Sequence, residues 1–136
     1  MSRTQRINRT FKSMLKIARK MKDDDRETNK LVTDAERKLD KHKNDKGIKR
    51  IMAETKGLIR LVKNYANGTY REISGKSIVK ILAGLLYFVS PIDAVPDFIL
   101  GLGLIDDAVV IGFIVDNLRK EVDRYLEWEE RHSPVE

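Results

Sequence analysis

Five residues with chemical potential stand close together: Ser90, Asp93, Asp97, Asp106 and Asp107. Carboxylate oxygens in that number are what magnesium and calcium bind. Asp93, Asp97, Asp106 and Asp107 are therefore the candidate divalent-cation site. Paired carboxylates can also exchange a proton, as in acid–base hydrolysis. No supporting histidine, nucleophile or phosphate loop accompanies them here. Gly101-Leu102-Gly103 is only a weak glycine match, and no strand precedes it. Nothing combines nucleophile, base and charge stabiliser, so an enzyme is the least favoured class and no cofactor is expected.

The same residues have a local structural use, and that reading is preferred. Ser90 can N-cap a short helix whose first position is Pro91, where a missing N–H costs nothing. Asp93 then reaches back to the Ser90 backbone in a variant of the capping box. Pro96 ends that turn by lacking a donor and restricting Val95. Asp97 can cap a following turn. Asp106 can cap the last helix, with Asp107 favourable in its first turn. Each cap stabilises by about 1 kcal/mol.

The elements that position this turn are apolar. Residues 75–89 carry apolar side chains around most of a helix, so the helix must be buried in protein, lipid or both. The last helix, residues 107–131, starts with the all-apolar AVVIGFIV. From Asp116 it keeps only a stripe of Leu118, Val122, Tyr125 and Leu126, with Trp128 off the stripe. Both apolar arms fall short of the roughly 20 residues that span a bilayer. A buried core and a shallow hairpin both stay open.

Three polar helices precede this hairpin. Residues 5–22 place Ile7, Phe11, Met14, Leu15, Ala18 and Met21 on one face, and Arg6, Arg9, Lys12, Lys16, Arg19 and Lys20 on the other. These six cations are the candidate surface-binding set. An Asp among Asp23, Asp24 and Asp25 can cap a thin second helix over 26–43, and His42 reads as exposed or semi-exposed. Residues 48–66 carry the stripe Ile48, Ile51, Met52, Leu58, Ile59, Val62 and Tyr65. Asn67-Gly68 stops that helix, and Ser74 or Ser77 caps the next.

The expected architecture is all-α. It is a small bundle built on a C-terminal apolar hairpin with a Pro/Asp-rich turn, preceded by basic amphipathic helices. The expected division is a basic N-terminal segment, 1–45, and a helical domain, 46–136. Cysteine is absent, which removes disulfides and thiolate chemistry.

The motif itself carries a resemblance. The stretch YFVSPIDAVPDFI (residues 87–99), followed by GLIDD (103–107), resembles the signature of the bacterial YkvA-like family, a domain of unknown function. Ala94 and Val95 replace the usual pair, and Leu100 stands where a third proline is common. The resemblance covers roughly residues 65–128. It implies a compact helical hairpin, often membrane-associated, without an assigned activity.

Charge shapes the functional expectation. Residues 1–76 hold 22 basic and 10 acidic side chains, and residues 77–136 hold 5 and 11. The basic half can attract lipid headgroups or nucleic acid, and it can equally pack on the acidic half. The leading expectation is a non-enzymatic protein whose basic helices face an anionic membrane surface. The alternative is a soluble module that binds a protein partner. Nucleic acid ranks third, because Phe11 alone supplies an aromatic ring within residues 1–63. No apolar signal segment follows the basic N-terminus, so the expected place is the cytoplasm, at the inner face of the cell membrane.

Overall fold

The computed structural model describes residues 3–44, 46–89 and 107–132, with side chains for those outside 3–11, 47–48, 50, 107–110 and 113. The described residues form six helices and no strand: α1 (Arg3–Met21), α2 (Asp25–Lys41), α3 (Lys46–Ala66), α4 (Gly75–Val89), α5 (Asp107–Asn117) and α6 (Arg119–His132). The all-α expectation holds.

Local chemistry sets the boundaries. Asp24 caps α2, its side chain accepting from Glu27 N–H at 3.1 Å. Gly68 closes α3 at φ +82°, the left-handed conformation that costs glycine least. Ser74 caps α4, its Oγ accepting from Ser77 N–H at 3.1 Å. The continuous helix expected over 107–131 is instead two, parted at Leu118. The Leu118 N–H still bonds Ile114 C=O, and its own C=O accepts from Val122 N–H. The break falls where the apolar-all-round segment gives way to a charged one with a single stripe.

α4 is the axis of the fold. It packs against α1, α2, α3 and α5. Ser77, Ile78, Val79, Ile81, Leu82, Ala83, Gly84, Leu85, Tyr87 and Phe88 are all buried. Its apolar circumference therefore meets protein, as a helix without a polar face requires. Ser77 Oγ reaches Glu121 of α6 at 3.3 Å, and Gly84 lies against Ile114 of α5. Rising numbers on one arm meet falling numbers on the other, so the arms run antiparallel. A Cβ on Gly84 would overlap the Ile114 side chain, so glycine permits this close approach.

The N-terminal helices share that core. Met14 and Ala18 of α1 and Leu31, Val32, Ala35 and Leu39 of α2 are buried in one cluster with α3, α4, α5 and α6. Lys38 of α2 donates to the Phe88 carbonyl in the last turn of α4, and its ammonium lies 4.8 Å from the Phe88 ring centroid. A cation there satisfies a terminal carbonyl and complements the helix dipole.

Candidate functional site

The turn residues Ser90, Pro91, Asp93, Pro96, Asp97 and Asp106 lie outside the described residues. Asp107 opens α5, with its side chain also outside them. The capping and cation readings of that turn thus stand as expectations. Among the described residues, no three or more His, Asp or Glu side chains gather as a metal would need.

The basic set on α1 can be followed further. Arg6 and Arg9 lie on the helix, with side chains outside the described set. Lys12, Lys16, Arg19 and Lys20 are exposed, and helical spacing puts them on one face. None forms an ion pair with a described residue. Met14 and Ala18 are buried on the opposite side, with Leu15 and Met21 packed partly against the core. Ile17, 49% exposed, flanks the charged face. The described part of the α1 apolar stripe is therefore occupied by protein, and Lys12, Lys16, Arg19 and Lys20 are left to solvent.

The C-terminal helix treats its charges differently. Arg60 of α3 makes a two-pronged contact with Glu129 of α6, Nε to Oε2 at 2.7 Å and Nη2 to Oε1 at 2.9 Å. The buried Tyr125 hydroxyl donates to Glu129 Oε2 at 2.8 Å and accepts from Asn64 Nδ2 at 2.9 Å. The Arg60 hydrogen bonds hold the Glu129 carboxyl below its ordinary range. Burial, then the bond to Glu129, pushes the Tyr125 hydroxyl up to about 12. Tyr70 meets Tyr125 edge-on at 5.0 Å and lies 5.1 Å from Trp128, which stacks on His132 at 4.6 Å. Trp128 thus packs, on the side of α6 that meets the α3–α4 link.

This clamp is only half legible in the sequence. Its signal was present as two pairs at i, i+4 spacing, Arg60 with Asn64 and Tyr125 with Glu129. Each pair lies on one face of its own helix. Spacing alone does not say that the two faces meet.

A groove of about 380 Å³ separates α2 from α3, with Leu39, Met52 and Ile59 among its lining. Its charged lining mixes signs: Asp40 holds Lys43 at 3.6 Å, and Arg60 is committed to Glu129. That mixture selects no one ligand class.

Residues 77–113 match the family described as "Protein of unknown function (DUF1232)". The matched segment takes in α4 from Ser77 on, the acidic stretch after it and the start of α5. The chain is also similar to the "Uncharacterized membrane protein YkvA" of Bacillus subtilis (strain 168), at 41% identity over 68 residues. That similarity covers 50% of this chain and 64% of the relative, under two thirds of its length. No solved structure matches the chain.

Proposed function

We propose that this protein is a non-enzymatic helical bundle that rests on the anionic inner face of the cell membrane. The basic side of α1 faces the lipid, and the helices stay folded. The observation that carries this reading is the division of α1: Met14 and Ala18 are in the core, while Lys12, Lys16, Arg19 and Lys20 are exposed and form no ion pair with a described residue. The name of the Bacillus relative, a membrane protein, supports it. Among the described residues no helix is long and apolar enough to cross a membrane, which favours surface contact for these helices.

Electrostatics supplies most of the attraction. Each Lys or Arg near an anionic leaflet contributes about 1 kcal/mol, and the effect fades within a Debye length. Ile17 adds a modest apolar contact beside the charges. Because Met14 and Ala18 of α1 stay in the core, binding requires no helix to detach.

Vesicle sedimentation tests the reading. The chain should bind phosphatidylserine-containing vesicles at about 0.01 M salt, where charges act over ~30 Å, and release toward 0.15 M, where they act over ~8 Å. Absence of binding at low salt, or equal binding to neutral phosphatidylcholine vesicles, overturns it.

A further inference from the structure

We infer that two helices hold the anionic surface: Lys76 and Lys80 of α4 complete the cationic face that Lys12, Lys16, Arg19 and Lys20 begin on α1. This rests on the membrane-surface reading above and extends it to the helix that otherwise forms the core. α4 is nearly all buried, and past Gly75 its exposed positions are Lys76 and Lys80, one turn apart. Lys22, just beyond α1, has its ammonium 3.6 Å from where a Gly75 Cβ would sit. The end of α1 therefore meets the start of α4, and the two packed helices run in opposite directions. Arg19 and Lys20 occupy the end of α1 nearest Lys76.

The two lysines have no evident internal use. Neither forms an ion pair with a described residue. The half-buried Glu121, beside the first turn of α4, accepts from Ser77 Oγ instead. That first turn holds no acidic residue, and a cation at a helix N-terminus opposes the helix dipole. Lys76 thus works slightly against its own helix, a placement that an external anion would repay. The anion we assign is the phospholipid headgroup of a bilayer. Nucleic acid fits less well, because Tyr87 and Phe88 of α4 are buried and leave no base-stacking platform beside the lysines among the described residues.

The test compares three full-length variants on phosphatidylserine vesicles at low salt. K76Q/K80Q should lose about fivefold in affinity per lysine, and K12Q/K16Q/R19Q/K20Q should lose more. The charge-matched control K49Q/K63Q, on the exposed side of α3, should lose less than twofold. Circular dichroism and the thermal midpoint of K76Q/K80Q should match the parent, so that any loss is not unfolding. If K76Q/K80Q behaves like the control while the α1 variant loses binding, the two-helix face is wrong and the α1 reading survives. If the parent does not bind vesicles at all, both fall. Tighter binding to a duplex DNA oligonucleotide than to vesicles at equal phosphate concentration also overturns the assignment.

Discussion

Helices α1 and α6 contribute to one core, but they are attached by different means. α6 is tied to α3 by Arg60, Asn64, Tyr125 and Glu129, so part of its charge is spent inside the molecule. α1 is held by apolar contacts such as Met14 and Ala18, and four of its cations pair with nothing described. Similar amphipathic patterns therefore serve two ends. A charge satisfied by a neighbouring helix stabilises the fold and is lost to outside partners. A charge left in solvent adds little stability and stays available. On the proposed reading, this difference puts the interaction surface on the α1 side.

The comparison breaks or sharpens under substitution. Tyr125→Ala should have the largest effect, about 3–5 kcal/mol of destabilisation in urea unfolding, because it empties a buried site and strips Glu129 and Asn64 of a partner. Gly84→Ala should cost about 1–3 kcal/mol, since the added methyl must displace Ile114 from the α4–α5 contact. A cost near zero would mean that the two arms are not closely packed there.

Glu129 gives a pH test. Its folded pKa is lowered, first by the Arg60 hydrogen bonds. The stability it contributes is therefore present above the ordinary carboxylate pKa of about 4.3 and is lost as pH falls through the lower folded value. Glu129→Gln should cost about 1 kcal/mol at pH 7, modest because the pair is partly exposed, and should flatten acid unfolding in that window. An unchanged acid profile would remove Glu129 from the clamp's electrostatics.

The smallest stability effect belongs to K12Q/K16Q/R19Q/K20Q, at less than about 1 kcal/mol in total by urea unfolding. Arg19 and Lys20 forfeit a small dipole term at the end of α1. A loss as large as that of Tyr125→Ala would make these cations structural and erase the contrast with α6.

The sequence carried most of the helix layout. The pattern over 75–89 matched α4 to the residue, and Gly68 marked the end of α3, because local propensity and turn chemistry decide both. An all-round apolar helix announced burial in protein or lipid without saying which. That answer depends on the faces of α1, α2, α3 and α5, which no local pattern relates to it. The break at Leu118 also escaped, since neither glycine nor proline marks it. The clamp was half visible as two i, i+4 pairs whose meeting is a tertiary event. Of the candidate site, the exposed face of α1 was legible from periodicity, whereas no periodic pattern singles out Lys76 and Lys80 within their apolar run. Their meaning depends on which strip of α4 the neighbouring helices leave open. The acidic turn lies outside the described residues, and its carboxylates remain candidates for capping or cation binding.

The Lys38 contact with the last turn of α4 bears on how the chain can be divided. The family-matched stretch begins at residue 77, yet α2 supplies the group that closes the carboxyl end of α4, and α1 covers one of its sides. A fragment beginning at residue 46 would bare apolar surface on α4 along with an orphaned carbonyl. Such a fragment should self-associate when purified, and a separately added peptide of residues 1–45 should restore a discrete species. The familiar hairpin would then depend on its less familiar N-terminal segment as a sheath, which would make that segment part of the folding unit as well as the proposed docking face.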